Sequence, residues 1–165
     1  MESKTVVDEE HRCLIYKIPG TFFVIKNQEL FVKYLEPLFL NFLKERVSSI
    51  RAVAIEKIQD LARVYGTTWI NSLIPKLSEI IATDPCFHFK IASIYSLKEI
   101  CLSVHGETFL EKALNLIMGA SGEPVANIRE VCVKAERDIA QRWEKGSIRE
   151  SIKKHIKSLS EDTDL

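Results

Sequence analysis

Apolar residues recur every three or four positions along most of the chain, which is the spacing of one face of an α-helix. The stretch 55–62 has this pattern, and the stretch 91–101 shows it again. The pattern predicts first helices near 28–43, 69–82, 108–120 and 147–159, and second helices near 48–64, 86–104 and 125–144. The expected fold is therefore all-α, with about three helical hairpins followed by a terminal helix.

The pattern itself repeats along the chain. Acidic residues at positions 45, 84 and 123 stand 39 residues apart, and each is followed five residues later by an apolar residue and six residues later by a cation. The acids are Glu45, Asp84 and Glu123, and the cations are Arg51, Lys90 and Arg129. Two helices per period of this length predict an α-α superhelix, or solenoid, in which neighbouring hairpins share one core.

Residues with special backbone or packing roles recur at the same period of 39 residues or, in the case of the glycines, at 40 residues. The small residues Ala54, Ser93 and Cys132 occupy one column, as close helix approach requires. Gly66, Gly106 and Gly146 follow apolar helical runs, where a left-handed backbone favours glycine. Asp84-Pro85 and Glu123-Pro124 predict an acid at or beside the N-cap and a proline at the first helical position.

Composition excludes several classes of protein. The 165 residues suffice for one domain, and 46% hydrophobic with 28% charged residues is typical of globular chains. Lys plus Arg and Asp plus Glu both number 23, so no basic excess favours nucleic acid. No apolar run approaches the ~18 residues of a membrane span, and the N-terminus does not read as a signal peptide, so we expect a cytoplasmic or nuclear location.

The candidate chemistry is sparse. The four cysteines, Cys13, Cys86, Cys101 and Cys132, lack C-x-x-C spacing and are expected to be reduced and mostly buried. Cys86 and His88 are two ligands at most, too few for a metal site. His11, His105 and His155 predict no convergent catalytic site, and Trp69 and Trp143 are expected to pack rather than to stack on a ligand.

The repeated motif resembles a known signature: an acid, often proline, three variable residues, an aliphatic residue, and Arg or Lys opening the second helix. This is similar to the HEAT repeat. Residues from about 29 to 162 more specifically resemble the C-terminal repeats of the scaffold (A) subunit of serine/threonine protein phosphatase 2A. The segments that carry this resemblance are 47–51, 64–69, 74–76 and 123–129.

The resemblance implies a HEAT-repeat array over residues 28–165, preceded by a segment 1–27 that is partly flexible or a vestigial helix. It implies a non-enzymatic scaffold, without cofactor or metal, that binds the phosphatase catalytic subunit through its intra-repeat turns. Whether a regulatory B-type subunit also binds is left open, and neither nucleic acid nor membrane is an expected partner. The implied partner-binding residues are Arg46, Val47, Ser48, Cys86, Phe87, His88, Val125, Ala126 and Asn127.

Two details of that surface can be anticipated. Phe87 is the expected anchor, because a large aromatic side chain at a turn is typical of interface hot spots. The six acids and cations named above are expected to form an inter-repeat ladder between adjacent turns, although solvated surface pairs worth about 0–1 kcal/mol are the alternative.

Other functions remain possible on the same architecture. One alternative is a different HEAT adaptor that binds peptides or proteins on its concave helices. Another is an enzyme or a nucleic-acid-binding HEAT protein, which the zero net charge and the lack of an aromatic and acidic cluster make less favoured.

Overall fold

The computed structural model describes residues 28–103, 107–143 and 146–161, and every regular element within these ranges is helical. The turn Gln28–Leu30 and the π-helical Phe31–Leu35 lead into α1 (Glu36–Leu43). The later helices are α2 (Ser48–Thr83), α3 (Phe87–Ser103), α4 (Glu107–Ala120), α5 (Ala126–Arg142) and α6 (Ser147–Glu161). The prediction of an all-α fold is confirmed. The predicted features of residues 1–27 and the cap at Gly106 lie outside the described ranges.

Helix α2 contains two of the predicted helices, joined at a kink. Gly66 has φ 65° and ψ −161°, while its neighbours remain helical. This region of backbone space is essentially restricted to glycine, because a Cβ atom would clash with the backbone. The kink separates the predicted second helix near 48–64 from the first helix near 69–82. Gly146 also has a positive φ, 119°, immediately before α6.

Two local features differ from the sequence-based expectation. The segment before α1 is π-helical, and its Phe31 is fully buried, with its ring 4.0 Å from the ring of Tyr65. The prolines also do not occupy the first helical position. Helix α3 begins at Phe87 and α5 at Ala126, so Pro85 and Pro124 each lie two residues before the helix starts. Proline there restricts the turn that precedes the helix rather than the helix itself.

The helices pack so that each second helix contacts the next. Helix α3 packs against α2, α4 and α5, and α5 packs against α4 and α6. The small-residue column lies inside these contacts, since Ala54 is 1% exposed and Ser93 and Cys132 are fully buried. Trp69 is also fully buried, whereas Trp143 is partly buried and donates from Nε1 to the carbonyl of Cys101 at 3.2 Å. Both tryptophans therefore pack, as expected.

Within the described ranges, no helix has both the length and the apolar character needed to cross a membrane.

Candidate protein-binding surface

The three turns that join first to second helices share one backbone hydrogen bond, and two of them have matching N-cap dihedral angles. Val47 and Val125, the N-cap residues of α2 and α5, have φ/ψ values of −76°/118° and −79°/114°. The amides of residues 51, 90 and 129 donate to the carbonyls of residues 47, 86 and 125, at 3.4, 3.3 and 3.3 Å. The 39-residue period of the sequence is thus reproduced in hydrogen bonds.

Two of the repeated cations stabilise their own turn. Arg51 donates from Nη1 to the carbonyls of Glu45 and Arg46, at 2.7 and 2.9 Å. Arg129 donates from Nη1 to the carbonyls of Glu123 and Pro124, at 3.0 and 2.9 Å. A guanidinium offers several donors in a fixed plane, so one side chain can satisfy two turn carbonyls. Arg51 and Arg129 therefore act chiefly within their own repeat.

Lysines connect one turn to the next. Lys44 lies 3.0 Å from Asp84, and Lys90 lies 3.1 Å from both carboxylate oxygens of Glu123. Lys90 and Glu123 are 14% and 24% exposed, so water screens this pair only partly. The predicted ladder thus has one rung from a predicted cation, Lys90, and another from Lys44, which the motif did not include.

Asp84 also organises the start of α3. Its Oδ1 atom accepts a hydrogen bond from the amide of Cys86 at 3.0 Å. This backbone hydrogen bond, aided by Lys44 and Lys90 and opposed by desolvation, lowers the pKa of the Asp84 carboxyl below its ordinary value of 3.8. The carboxylate of Asp84 thus holds the second turn to Lys44 of the first and, by accepting from the amide of Cys86, orders the turn that precedes α3.

We use the name turn row for residues 46–48, 86–88 and 125–127. Six of its residues are exposed, and three are partly buried. The exposed six are Arg46, Ser48, His88, Val125, Ala126 and Asn127, and the partly buried three are Val47, Cys86 and Phe87. The exposed part of the row thus offers four polar side chains and two aliphatic ones, of which the larger, Val125, is 37% exposed.

Phe87, the expected anchor of the turn row, is only partly exposed. Its ring packs against the core and lies 3.9 Å from the ring of His88, with an interplanar angle of 33°. Only part of the ring can touch a partner. Val125 is the more accessible apolar residue of the turn row.

A buried carboxylate that sequence reasoning missed connects α1 to α2. Glu36 is 1% exposed and accepts from Trp69 Nε1 at 3.1 Å and from Ser72 at 3.4 Å, and its other oxygen pairs with Lys76. A buried carboxylate needs several donors, and these three come from one helix, 33 to 40 residues along the chain. The separation of 33 to 40 residues, close to the 39-residue period of the motif, was the sequence signal that could have indicated this contact.

A second buried polar group, at α6, was also missed. The Nδ1 atom of His155 lies 3.0 Å from Oε2 of Glu136, and its Nε2 atom lies 3.2 Å from the hydroxyl of Ser121. Glu136 is fully buried, and its Oε1 atom has no hydrogen-bond partner in the described part of the chain. Burial raises the pKa of this carboxyl, and the hydrogen bond and charge of His155 oppose that rise. The prediction that the histidines form no convergent catalytic site is not tested by these contacts, which the spacing of the residues along the chain gave no reason to expect.

The buried thiols are poor nucleophiles. Burial raises the pKa of Cys101 to about 12, and burial with the nearby charges of Glu136 and Glu123 raises that of Cys132 to about 12. Among the described residues, no group of three or more His, Cys, Asp or Glu is arranged to hold a metal ion.

The sequence matches no protein-family model and no curated protein. Functional inference therefore depends on the geometry of the turns and on the resemblance carried by the repeated motif.

Proposed function

We propose that the chain is a HEAT-repeat scaffold, without enzymatic activity, that binds a protein partner along the turn row. The observation that carries the proposal is the pair of links between consecutive turns, Lys44 to Asp84 and Lys90 to Glu123. These links hold three equivalent corners side by side. A row of corners suits a broad protein surface better than it suits a small substrate, because it forms an edge and not a pocket.

Two further features support a superhelix of HEAT type. The repeated hydrogen bonds recur at the period of the sequence motif, and α3 packs against both α2 and α5, the helices that hold the equivalent positions of its neighbouring repeats. This nearest-neighbour packing is typical of solenoids.

The partner we propose is the catalytic subunit of a type 2A serine/threonine protein phosphatase. The support is the resemblance over residues 29–162. The exposed surface is compatible with it, since Val125 and the accessible part of Phe87 provide apolar contacts among the polar side chains of Arg46 and Asn127. Binding of a regulatory B-type subunit is a separate question that the same binding assay answers with that subunit as probe.

Two valines provide a matched test. Val125 lies in the turn row and is 37% exposed, while Val133 lies on the helical face of α5 and is 41% exposed. In a calorimetric titration with the purified phosphatase catalytic subunit, we expect Val125→Ser to weaken binding by about tenfold and Val133→Ser to leave it unchanged. Circular dichroism should show equal helix content for both variants. No binding by the parent chain would contradict this choice of partner.

The second candidate, an adaptor that binds a peptide on its second helices, is favoured by one observation. A groove of about 530 Å³ between α5 and α6 is lined by Arg137, Ala140, Gln141, Arg149 and Ile156. Ile156, which lines this groove and is 39% exposed, provides the variant that separates the candidates. Loss of binding in Ile156→Ser, with full binding in Val125→Ser, would place the partner in the groove and overturn the assignment to the turn row.

A further inference from the structure

We propose that Ser121, His155 and Glu136 form a proton-dependent latch that holds the C-terminal half of α6 against the preceding hairpin. The α6 latch joins three elements: Ser121 follows α4, Glu136 lies on α5, and His155 lies on α6. The imidazole is 19% exposed and lies between two buried partners, with Ser121 at 6% and Glu136 at 0% exposure. This proposal is independent of the proposed function.

The latch lies where apolar anchoring of α6 weakens. Ile148 and Ile152 are 5% and 1% exposed, but Ile156, one turn later on the same stripe, is 39% exposed. The helix beyond Ile152 therefore buries less apolar surface against the hairpin, and polar contacts make a larger share of its attachment. His155 stands at this transition and makes two of those contacts.

The positions of the protons follow from the geometry. The Ser121 hydroxyl lies 2.6 Å from the carbonyl oxygen of Met118, and because a carbonyl has no proton, the hydroxyl must donate. Its oxygen then accepts from His155, which requires a proton on Nε2. The contact between Nδ1 and Glu136 needs one more proton, held by either group. In the closed latch, the His155–Glu136 pair therefore holds two protons and has no net charge.

This arrangement resembles a serine–histidine–carboxylate triad, but its first hydrogen bond runs in the opposite direction. A nucleophilic serine donates its proton to an unprotonated Nε2 atom. Here the Ser121 proton is used on the Met118 carbonyl, and Nε2 is the donor. Ser121 also lies 6% exposed at the end of a helix, where the dipole disfavours an oxyanion. The geometry points to a structural latch.

Loss of one proton opens the latch. With only Nε2 protonated, Nδ1 and the carboxylate face each other with lone pairs, and Glu136 becomes an uncompensated buried charge. The raised pKa of Glu136 likewise predicts that stability falls as the pH rises. A carboxyl whose folded pKa is raised stabilises the fold below its ordinary value of 4.5, and this contribution is lost as the pH rises through the folded pKa.

Other titratable groups near the pair do not supply this response. On α5, Cys132 remains a neutral thiol because its pKa is about 12. Glu123, in the turn before α5, is paired with Lys90 of α3. On α6, the neighbouring charged residues Lys154 and Lys157 are exposed, outside the contacts among Ser121, His155 and Glu136.

Hydrogen exchange tests the latch. For the whole chain, we expect protection factors of amides after residue 152, corrected for intrinsic exchange, to fall about tenfold as the pH rises from 4.5, the ordinary pKa of a glutamate carboxyl, to about 8.5. Tenfold is the factor given by one lost hydrogen bond. Amides of α3 should keep their protection. His155→Gln should remove the pH dependence in α6, and Lys154→Gln, which alters the same helical turn outside the latch, should retain it. A pH-independent parent, or an equal fall in His155→Gln or in α3, would overturn the proposal.

Two measurements on the unaltered chain keep the test decisive if His155→Gln fails to fold. The ¹⁵N shifts of the imidazole should show a proton on Nε2, and an unprotonated Nε2 in the neutral ring would refute the proton assignment. A fluorophosphonate probe should leave Ser121 unlabelled. Covalent labelling at Ser121 would show a nucleophilic serine and overturn the latch.

Discussion

The Nζ atom of Lys90 lies 3.1 Å from each carboxylate oxygen of Glu123, so one ammonium group joins the second turn to the third. Lys90 belongs to α3 and Glu123 precedes α5, which places the contact at the corner where two second helices begin. Both residues belong to the repeated motif, but the pairing crosses from one copy to the next. Alignment of the turns therefore depends on side chains 33 residues apart.

Removing this link should destabilise the stack. The pair is mostly shielded from water, so we expect Glu123→Ala to cost about 1–2 kcal/mol, between the values typical of exposed and fully buried pairs. Glu130 and Lys134 provide the control, because they are 61% and 50% exposed. Glu130→Ala should stay within ~0.5 kcal/mol of the parent in urea unfolding. Equal effects of the two substitutions would mean that the corner pair has no special role.

The lowered pKa of Asp84 predicts an acid-dependent loss of stability. A carboxyl with a depressed folded pKa stabilises the fold above its ordinary value of 3.8, and this contribution disappears as the pH falls through the folded pKa. Asp84→Asn retains an acceptor for the amide of Cys86 but loses the charge that attracts Lys44. The variant should therefore lose less stability than the parent between pH 5 and pH 2, as measured by urea unfolding. A parallel decline in both chains would contradict the assignment.

Glu36 predicts a graded pair of substitutions. Glu36→Gln keeps an oxygen for Trp69 and loses the charge opposite Lys76, so it should cost about 1 kcal/mol. Glu36→Ala leaves the buried indole N–H without its acceptor and should cost about 2–4 kcal/mol. The exposed Glu56→Ala is the control and should be nearly neutral. The test is the order of the three unfolding midpoints in guanidinium. Equal midpoints for Glu36→Ala and Glu56→Ala would refute the role of Glu36 as a buried acceptor.

The sequence predicted features that depend on local periodicity. The helices near 86–104 and 108–120 are α3 and α4 to within a residue or two over the described ranges, and the special backbone at Gly66 is where the glycine spacing put it. Burial of the small-residue column was predictable for the same reason. A helix fixes which residues share a face, and the period then fixes which faces meet.

Features that depend on contacts between repeats could not be predicted. The partners of Glu36 and His155 are separated from them by 19 to 40 residues and come together only when the helices dock. The motif likewise gave no reason to choose Lys44 over Arg51 as the partner of Asp84. A hydrogen bond from Arg51 to its own turn satisfies nearby carbonyls, and spacing along the chain does not distinguish that from a bond to the next turn.

Gly66 and Gly119 differ in backbone conformation, so substitution by alanine should change the stability of the chain in opposite directions at the two positions. At φ 65° and ψ −161°, Gly66→Ala should destabilise the chain by about 1–3 kcal/mol, even though the added Cβ meets no atom within 4 Å. Gly119 lies within α4 with similar free space, so Gly119→Ala should stabilise by up to about 1 kcal/mol through the lower entropy of the unfolded chain. Thermal unfolding of both variants is the measurement, and a stabilising Gly66→Ala would refute the kink.

The close approach of helices at Ala54 gives a test of the register of the repeat. Ala54 is 1% exposed, whereas Ala52 in the same helix faces solvent. Because well-packed interiors have little free volume, Ala54→Leu should overpack the contact and cost about 1–3 kcal/mol. Ala52→Leu adds the same atoms outside the core and should stay within ~0.5 kcal/mol of the parent. Both values come from urea unfolding, and since Ser93 and Cys132 occupy the equivalent buried positions, an unchanged Ala54→Leu would count against close packing in all three repeats.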